Sequence, residues 1–181
     1  MLRKIVRSKI TWSVLTLFAI ALVAFVYWFA PHKLFIDTTV EEAAPTVAVP
    51  AAAPGTPAPS APAAPQVLAR GDFISHEHAT TGTVVLLRLP DGNRVVRLEN
   101  LDTSDGPDLR VWITDAPVLE GKDGWFVFDD GAYQELGKLK GNKGSQNYDL
   151  PASVDVAKLN SVTIWCDRFN VSFGAALLRS A

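Results

Sequence analysis

A tract of alanine, proline and small residues from Thr38 to Pro65 divides this chain into two unlike parts. The tract has no leucine, isoleucine or aromatic side chain to bury, and its closely spaced prolines oppose both helices and sheet ladders. We therefore expect residues 31–66 to form an extended, disordered linker that acts as a passive spacer. Folded structure is expected before and after it.

The segment before the tract is predicted to be a membrane anchor. Residues 1–9 form a basic tail, and the 21 residues from Ile10 to Ala30 carry no charge. At about 1.5 Å per residue, a helix of that length covers roughly 31 Å, which is the thickness of the hydrocarbon core of a bilayer. A cleaved signal peptide is the alternative, but residues 28–30 lack the small-residue pattern that precedes a cleavage site.

The distribution of positive charge predicts the orientation of this anchor. Four basic residues precede the apolar run, whereas one histidine and one lysine closely follow it. Because positively charged flanks stay on the cytoplasmic side, the N-terminus should be cytoplasmic and the C-terminal part extracytoplasmic. The sequence thus predicts a single-pass protein of the cell membrane, held there by residues 10–30.

Residues 67–181 are predicted to form one all-β domain. They carry 12 Lys+Arg against 16 Asp+Glu, a formal charge of −4, which offers no basic surface for nucleic acid. Short alternating runs are broken by glycine, proline or aspartate every eight to twelve residues, as in stacked sheets. We predict an antiparallel, jelly-roll-like β-sandwich with strands at 67–73, 83–89, 94–99, 109–114, 125–128, 133–139, 147–150, 162–167 and 171–177.

Cys166 is the only cysteine of the chain and lies in its most strand-like run. Because alternate residues of a strand face opposite sides, Val162, Ile164 and Cys166 share one face, which we expect to be the interior. A lone cysteine cannot form a disulfide within the chain, so in an oxidising compartment it is a candidate redox or ligating group. A buried small hydrophobe is the alternative role.

His76 and His78 make a metal site a second candidate. In an extended segment, residues two apart point to the same face, which is the arrangement that two ligands need. Joined to Cys166 they would form the His2Cys set of a blue-copper centre, but the usual axial methionine is missing because Met1 is the only one. Hydrogen-bonded or solvated histidines are the alternative. The chain has no C-x-x-C-H motif for covalent haem attachment.

Several short motifs, taken in order, resemble those of the DM-thirteen domain. The resemblance covers about residues 67–178 and rests on Gly71-Asp72-Phe73, His78, Thr81-Gly82, Arg97–Asn100, Gly106–Leu109, Leu136-Gly137, Leu139–Gly141, Gln146–Tyr148, Ile164–Cys166, Phe169 and Phe173-Gly174. It implies electron transfer, in some relatives beside DOMON and cytochrome domains, with a cysteine acting as a free thiol or haem ligand. By this resemblance the cysteine is Cys166 and the accompanying histidine is His78.

The sequence therefore predicts a membrane-anchored accessory domain that transfers electrons through Cys166 to an unidentified redox partner. The sulfur would act as a thiol or as a ligand to haem or copper. The alternative is a non-catalytic module that binds a protein or glycan of the cell envelope, with Trp112 and Trp125 as stacking surfaces. The hydrolase motifs G-x-S-x-G and H-E-x-x-H are absent, so the sequence shows no nucleophile or zinc site for hydrolysis and favours an electron-transfer or binding domain over a stand-alone enzyme.

Overall fold

The structure is a computed structural model that describes residues 9–45 and 64–181. The predictions for most of the basic tail and for the central part of the alanine and proline tract fall on residues 1–8 and 46–63, outside the described residues. The remaining predictions can be compared with the structure element by element.

The N-terminal apolar run forms one helix, α1 (Lys9–Phe29), with a mean hydropathy of 2.2. Its apolar side chains are exposed on every side, as expected for a segment whose solvent is lipid. Among the described residues, it is the one helix long and apolar enough to cross a membrane. The helix ends at Phe29; Ala30 follows with a left-handed φ of 42° and precedes a short 3-10 segment, Pro31–Phe35.

The rest of the described chain is built from β-strands. They are β1 (Thr39–Glu41), β2 (Gln66–Ser75), β3 (Thr81–Arg88), β4 (Arg94–Asp102), β5 (Leu109–Thr114), β6 (Tyr133–Lys138), β7 (Lys143–Leu150), β8 (Ser161–Cys166), β9 (Val171–Leu177) and β10 (Arg179–Ser180). Eight of these correspond to predicted strands. The predicted strand at 125–128 is wrong, because those residues lie in the loop that joins β5 to β6.

One continuous sheet curls to make two layers. The first layer contains β1, β7, β4, β3, β10 and the first part of β2, and the second layer contains the end of β2, β9, β8, β5 and β6. The strand order is β1-β7-β4-β3-β2-β9-β8-β5-β6, and β10 adds to β2. The long strand β2 belongs to both layers: its first part pairs with β3, and its last part, from Phe73 to Ser75, pairs with β9. All pairs are antiparallel except β1 with β7. The predicted all-β fold behind one apolar helix is confirmed.

Apolar side chains fill both faces of the second layer. The interior between the layers holds Val162, Ile164 and Cys166 of β8, each 0% exposed. The opposite face of the same strand carries Trp165, also 0% exposed, beneath the loop between β5 and β6. Phe128 of that loop belongs to this second cluster and Val127 packs against it, so the last two residues of the run mistaken for a strand cover the outer face of the layer.

The segment that follows α1 is docked on the domain, which differs from the expected solvated linker. Strand β1 pairs in parallel with β7, with Val40 opposite Gly144. Asn142, which is 1% exposed, accepts a hydrogen bond from the Thr38 N–H at 2.7 Å and donates to the Asp37 carboxylate at 2.8 Å. The Glu42 carboxylate receives hydrogen bonds from Lys140 at 2.8 Å and 3.0 Å.

This docking changes which parts of the chain the alanine and proline tract connects. Because β1 precedes residues 46–63 and β2 follows them, both ends of that part of the tract are attached to the same domain. It therefore joins two strands of one fold, and the shorter segment between α1 and β1 connects the helix to the domain.

Candidate functional site

Cys166 is the last residue of β8 and lies opposite Leu109 of β5 and Val171 of β9. Its side chain is 0% exposed and belongs to the interior cluster between the two layers. The inward placement expected from the alternation of β8 is confirmed. The chain turns immediately after it, and the Phe169 N–H donates to the Cys166 carbonyl at 3.2 Å.

The surroundings of the Cys166 sulfur favour the neutral thiol. Burial raises the pKa of the thiol, while hydrogen bonds from the backbone N–H groups of Phe169, Arg168 and Asp108 act in the opposite direction with a smaller effect. The thiolate is the form that attacks disulfides and binds metals. Enclosure and a raised pKa together make Cys166 unreactive toward bulky reagents in this conformation.

His76 is buried, with 7% of its surface exposed, and both ring nitrogens have hydrogen-bond partners. Nε2 lies 3.0 Å from the Leu119 carbonyl, which can only accept, so Nε2 carries the proton. Nδ1 then accepts from the Ser172 hydroxyl at 2.7 Å. Burial lowers the pKa of His76, in agreement with this neutral tautomer.

His78 has a different environment from His76. Its ring stacks on Phe173 with 3.9 Å between the ring centroids, and its Nε2 is 3.8 Å from the Glu77 carboxylate. Burial lowers the pKa of His78, and the charge of Glu77 partly opposes the change. About a quarter of the side chain, 24%, stays exposed.

The two histidines do not share a face. His76 contacts Ser172 and His78 contacts Phe173, and these adjacent residues of β9 point to opposite sides of the sheet. The expectation of a shared face assumed an extended segment, whereas residues 76–78 form a bend. Within residues 9–45 and 64–181, no group of three or more His, Cys, Asp and Glu side chains is arranged to hold a metal.

A haem or copper ion bound by Cys166 does not fit this arrangement. The sulfur is enclosed in the interior cluster, so a metal could reach it only by displacing packed side chains such as Leu109 and Val171. The raised pKa also opposes the thiolate that would coordinate iron or copper.

A cavity of about 360 Å³ lies at the same end of the sandwich, between the domain and the end of α1. We call it the juxtamembrane cavity. Phe25 and Phe29 of α1 form one wall. The opposite side includes His78, Phe169 and Phe173 of the domain. Cys166 lies beneath this side of the cavity. Phe169 belongs to the turn that follows Cys166, and Phe173 belongs to β9, the strand that pairs with β8 at Cys166.

Contacts between α1 and the domain fix the juxtamembrane cavity. The Arg168 guanidinium donates to the Tyr27 and Trp28 carbonyls, at 3.1 Å and 2.9 Å, and so satisfies acceptors that the last turn of a helix leaves free. The rings of Phe29 and Phe169 stack with 5.6 Å between their centroids. Sequence reasoning missed this site because it treated the helix and the domain as independent.

The aromatic residues proposed as a glycan-stacking surface are not all available for that purpose. Trp112 is only 4% exposed and stacks between Tyr133, at 4.2 Å, and Trp165, at 5.1 Å between centroids. Its ring therefore stabilises the outer face of the second layer, and the expected role of Trp112 as an open platform is wrong.

Comparison with protein families identifies the family of the domain. The family model described as "Electron transfer DM13" matches residues 72–178, which include His76, His78, Cys166, the end of β2 and all of β3 to β9. The chain belongs to the DM13 family. Comparisons with curated proteins and with solved structures returned no match. Membership of the DM13 family confirms the resemblance found in the sequence and associates the domain with electron transfer.

Proposed function

We propose that this DM13 protein is a membrane-anchored electron-transfer domain on the extracytoplasmic side of the cell membrane, with Cys166 as its redox group. The observation that carries the proposal is the family match over residues 72–178, whose lone cysteine lies at the end of the domain that faces α1. The basic residues before α1 support a cytoplasmic N-terminus and an external domain.

The enclosure of Cys166 restricts the chemistry open to it. With one cysteine in the chain, no intramolecular disulfide can form, and enclosure of the sulfur opposes a disulfide with another protein. We therefore propose a one-electron step, in which the thiol gives one electron and its proton to an acceptor on a redox partner, becomes a thiyl radical and regains both on reduction. The apolar surroundings of the sulfur exclude the bulky thiols and oxidants that would otherwise consume it.

The test uses sealed host cells and ferricyanide, which cannot cross the membrane. We expect deletion of the protein to slow ferricyanide reduction, the full chain to restore the rate and Cys166→Ala to fail to do so. Cys166→Ser keeps the size of the side chain and changes its polarity. His76→Gln changes the packing at another buried residue and leaves the thiol in place. Expression and the near-UV spectrum of each variant show whether the fold is kept.

Two outcomes contradict different parts of the proposal. An unchanged rate in the deletion strain would refute electron transfer, whereas full rescue by Cys166→Ala would refute the role of the thiol alone. An absorption spectrum of the protein purified from its host provides a third check, since a visible band that depends on Cys166 would show a bound chromophore in place of a free thiol.

The orientation has its own test. A protease added outside sealed cells should cut the chain between Glu42 and Pro65, because the sequence of this segment is made almost entirely of small residues and prolines, a composition typical of protease-accessible segments. The products should be a membrane-bound N-terminal fragment and the remainder of the domain. Protection of the intact chain in sealed cells, with cleavage only after lysis, would place the domain in the cytoplasm.

A further inference from the structure

In the proposed topology, the juxtamembrane cavity borders the outer part of the bilayer as well as the domain. Phe25 and Phe29 are four residues apart on α1, so the cavity extends about 6 Å along the helix axis. Their rings stack with 4.8 Å between centroids and belong to the apolar run that spans the bilayer in the proposed topology. A molecule dissolved in the outer part of the bilayer can therefore enter the cavity without crossing water.

The walls of the cavity are suited to a flat ring. Phe29 and Phe169 stack across the junction between helix and domain, and the His78 ring, which stacks on the buried Phe173, lines the cavity beside them. Aromatic rings pack favourably on other planar rings in offset or tilted arrangements. At about 360 Å³ the cavity also falls in the size range of small-molecule sites, which are mostly apolar with a few polar groups.

The charges that line the cavity argue against a phospholipid headgroup. One lysine, Lys33, faces two carboxylates, Glu77 and Asp105, which gives the lining a formal charge of −1. Lys33 is moreover 3.4 Å from Asp105, so its charge is already compensated. A phosphate would meet net repulsion there, whereas an uncharged ring would not.

His78 supplies the directional contact that a neutral ring with carbonyl groups requires. Its side chain is 24% exposed, and stacking on Phe173 fixes the plane of the imidazole. A neutral imidazole carries one N–H donor and one acceptor, so it can donate to a ring carbonyl or accept from a ring hydroxyl. A quinone carries ring carbonyls in its oxidised form and ring hydroxyls in its reduced form.

We propose that the juxtamembrane cavity binds the ring of a membrane-soluble quinone, with His78 hydrogen-bonded to a ring oxygen and the isoprenoid tail lying along α1. This inference rests on the proposed electron-transfer function, because it identifies the lipid-soluble carrier that would meet the domain at the membrane. His78 acts here as a binding residue.

The test uses the full-length chain in phosphatidylcholine nanodiscs and a photoreactive azidoquinone. Labelling should be competed by decylubiquinone or a short-chain naphthoquinone and should map to peptides containing residues 77–78, 105–107 or 169–173. His78→Phe keeps the stacked ring but removes the hydrogen bond, so the decylubiquinone concentration for half-maximal competition should rise about tenfold. Phe126→Ala, which removes an exposed aromatic residue that does not line the cavity, is the matched control and should change nothing.

A photoreactive phospholipid separates a quinone from a lipid, because it should not compete for quinone labelling. If His78→Phe fails to fold, Phe169→Ala replaces it, because this partly exposed ring forms the cavity wall and its loss should weaken competition about three- to tenfold. Labelling elsewhere, no effect of either variant, or equal competition by the phospholipid would overturn the proposal.

Failure of this inference can be distinguished from failure of the proposed function. If quinone does not bind but ferricyanide reduction still depends on the protein, the quinone site alone is refuted. If quinone binds as described but deletion leaves ferricyanide reduction unchanged, electron transfer is refuted and the cavity remains a quinone-binding site.

Discussion

Replacing Gly144 with alanine should detach β1 from the sheet. Gly144 has a φ of +94°, and a Cβ built on it would overlap the Val40 carbonyl oxygen of β1. A carbonyl in a paired strand cannot move aside without breaking its ladder. We therefore expect Gly144→Ala to combine backbone strain with the loss of the parallel pairing between β1 and β7.

Gly92→Ala is the matched control for this change. Gly92 has a similar φ, +88°, but a Cβ built there would meet no atom within 4 Å. Both variants should lose about 1–2 kcal/mol of unfolding free energy through the left-handed conformation. Gly144→Ala should lose about 2 to 4 kcal/mol more, because β1 is held by three register pairs and each hydrogen bond lost costs about 0.5–1.5 kcal/mol.

Hydrogen exchange and chemical unfolding together test this difference. In the wild type and in Gly92→Ala, the amides of residues 39–42 should exchange slowly, and proteases should leave this segment intact. In Gly144→Ala the same amides should exchange as fast as those of an open chain. Equal unfolding free energies for the two variants, with residues 39–42 still protected in both, would refute the docking of β1.

Three further outcomes follow from the buried and charged groups. Cys166→Ala should lower the unfolding free energy by about 1–2 kcal/mol, and the wild-type thiol should react with a bulky disulfide reagent only after unfolding; fast, complete reaction of the folded protein would contradict its enclosure. Burial lowers the pKa of both His76 and His78 below 6.5, so the unfolded state binds protons more readily than the folded state. The free energy of unfolding should therefore fall as the pH drops below about 6.5. In urea titrations, a variant lacking both histidines should show a flatter pH profile. The hydrogen bond from Lys140 lowers the pKa of the Glu42 carboxyl, so this pair should stabilise the segment after β1 above pH 4.5. The stabilisation should be lost as the pH falls through the lowered pKa of Glu42, which protease cleavage of the segment would measure. It should also weaken in high salt, because the pair is partly exposed.

The strands that sequence reasoning found are those whose local pattern and tertiary environment agree. The strands β5 (Leu109–Thr114) and β9 (Val171–Leu177) have the predicted bounds, because alternating apolar residues there do face a common interior. The same reasoning placed Cys166 inward. It failed at residues 125–128, where an apolar run covers the outer face of the second layer from a loop, and a short run cannot distinguish these two kinds of burial.

The parts that could not be predicted depend on partners distant in the chain. Strand β1 has three residues inside a tract typical of disorder, and it is held by Asn142 and by Lys140 through Glu42, about a hundred positions away. The faces of His76 and His78 depend on a bend whose hydrogen bonds are made to β9. No local periodicity carries this information.

The docking of β1 also determines where the domain can work. A tether of the length of the whole alanine and proline tract would let the domain move roughly 90 Å from the bilayer, if it were extended at about 3.1 Å per residue. Instead, α1 ends at Phe29 and β1 begins at Thr39, so the connecting segment spans at most about 35 Å and much of it is bound to the domain. In the proposed topology, the end of the sandwich that contains Cys166 and His78 would therefore be held at the membrane surface. A domain fixed in this way would meet the proposed carrier in the bilayer at every encounter, whereas a mobile domain would first have to return to the membrane.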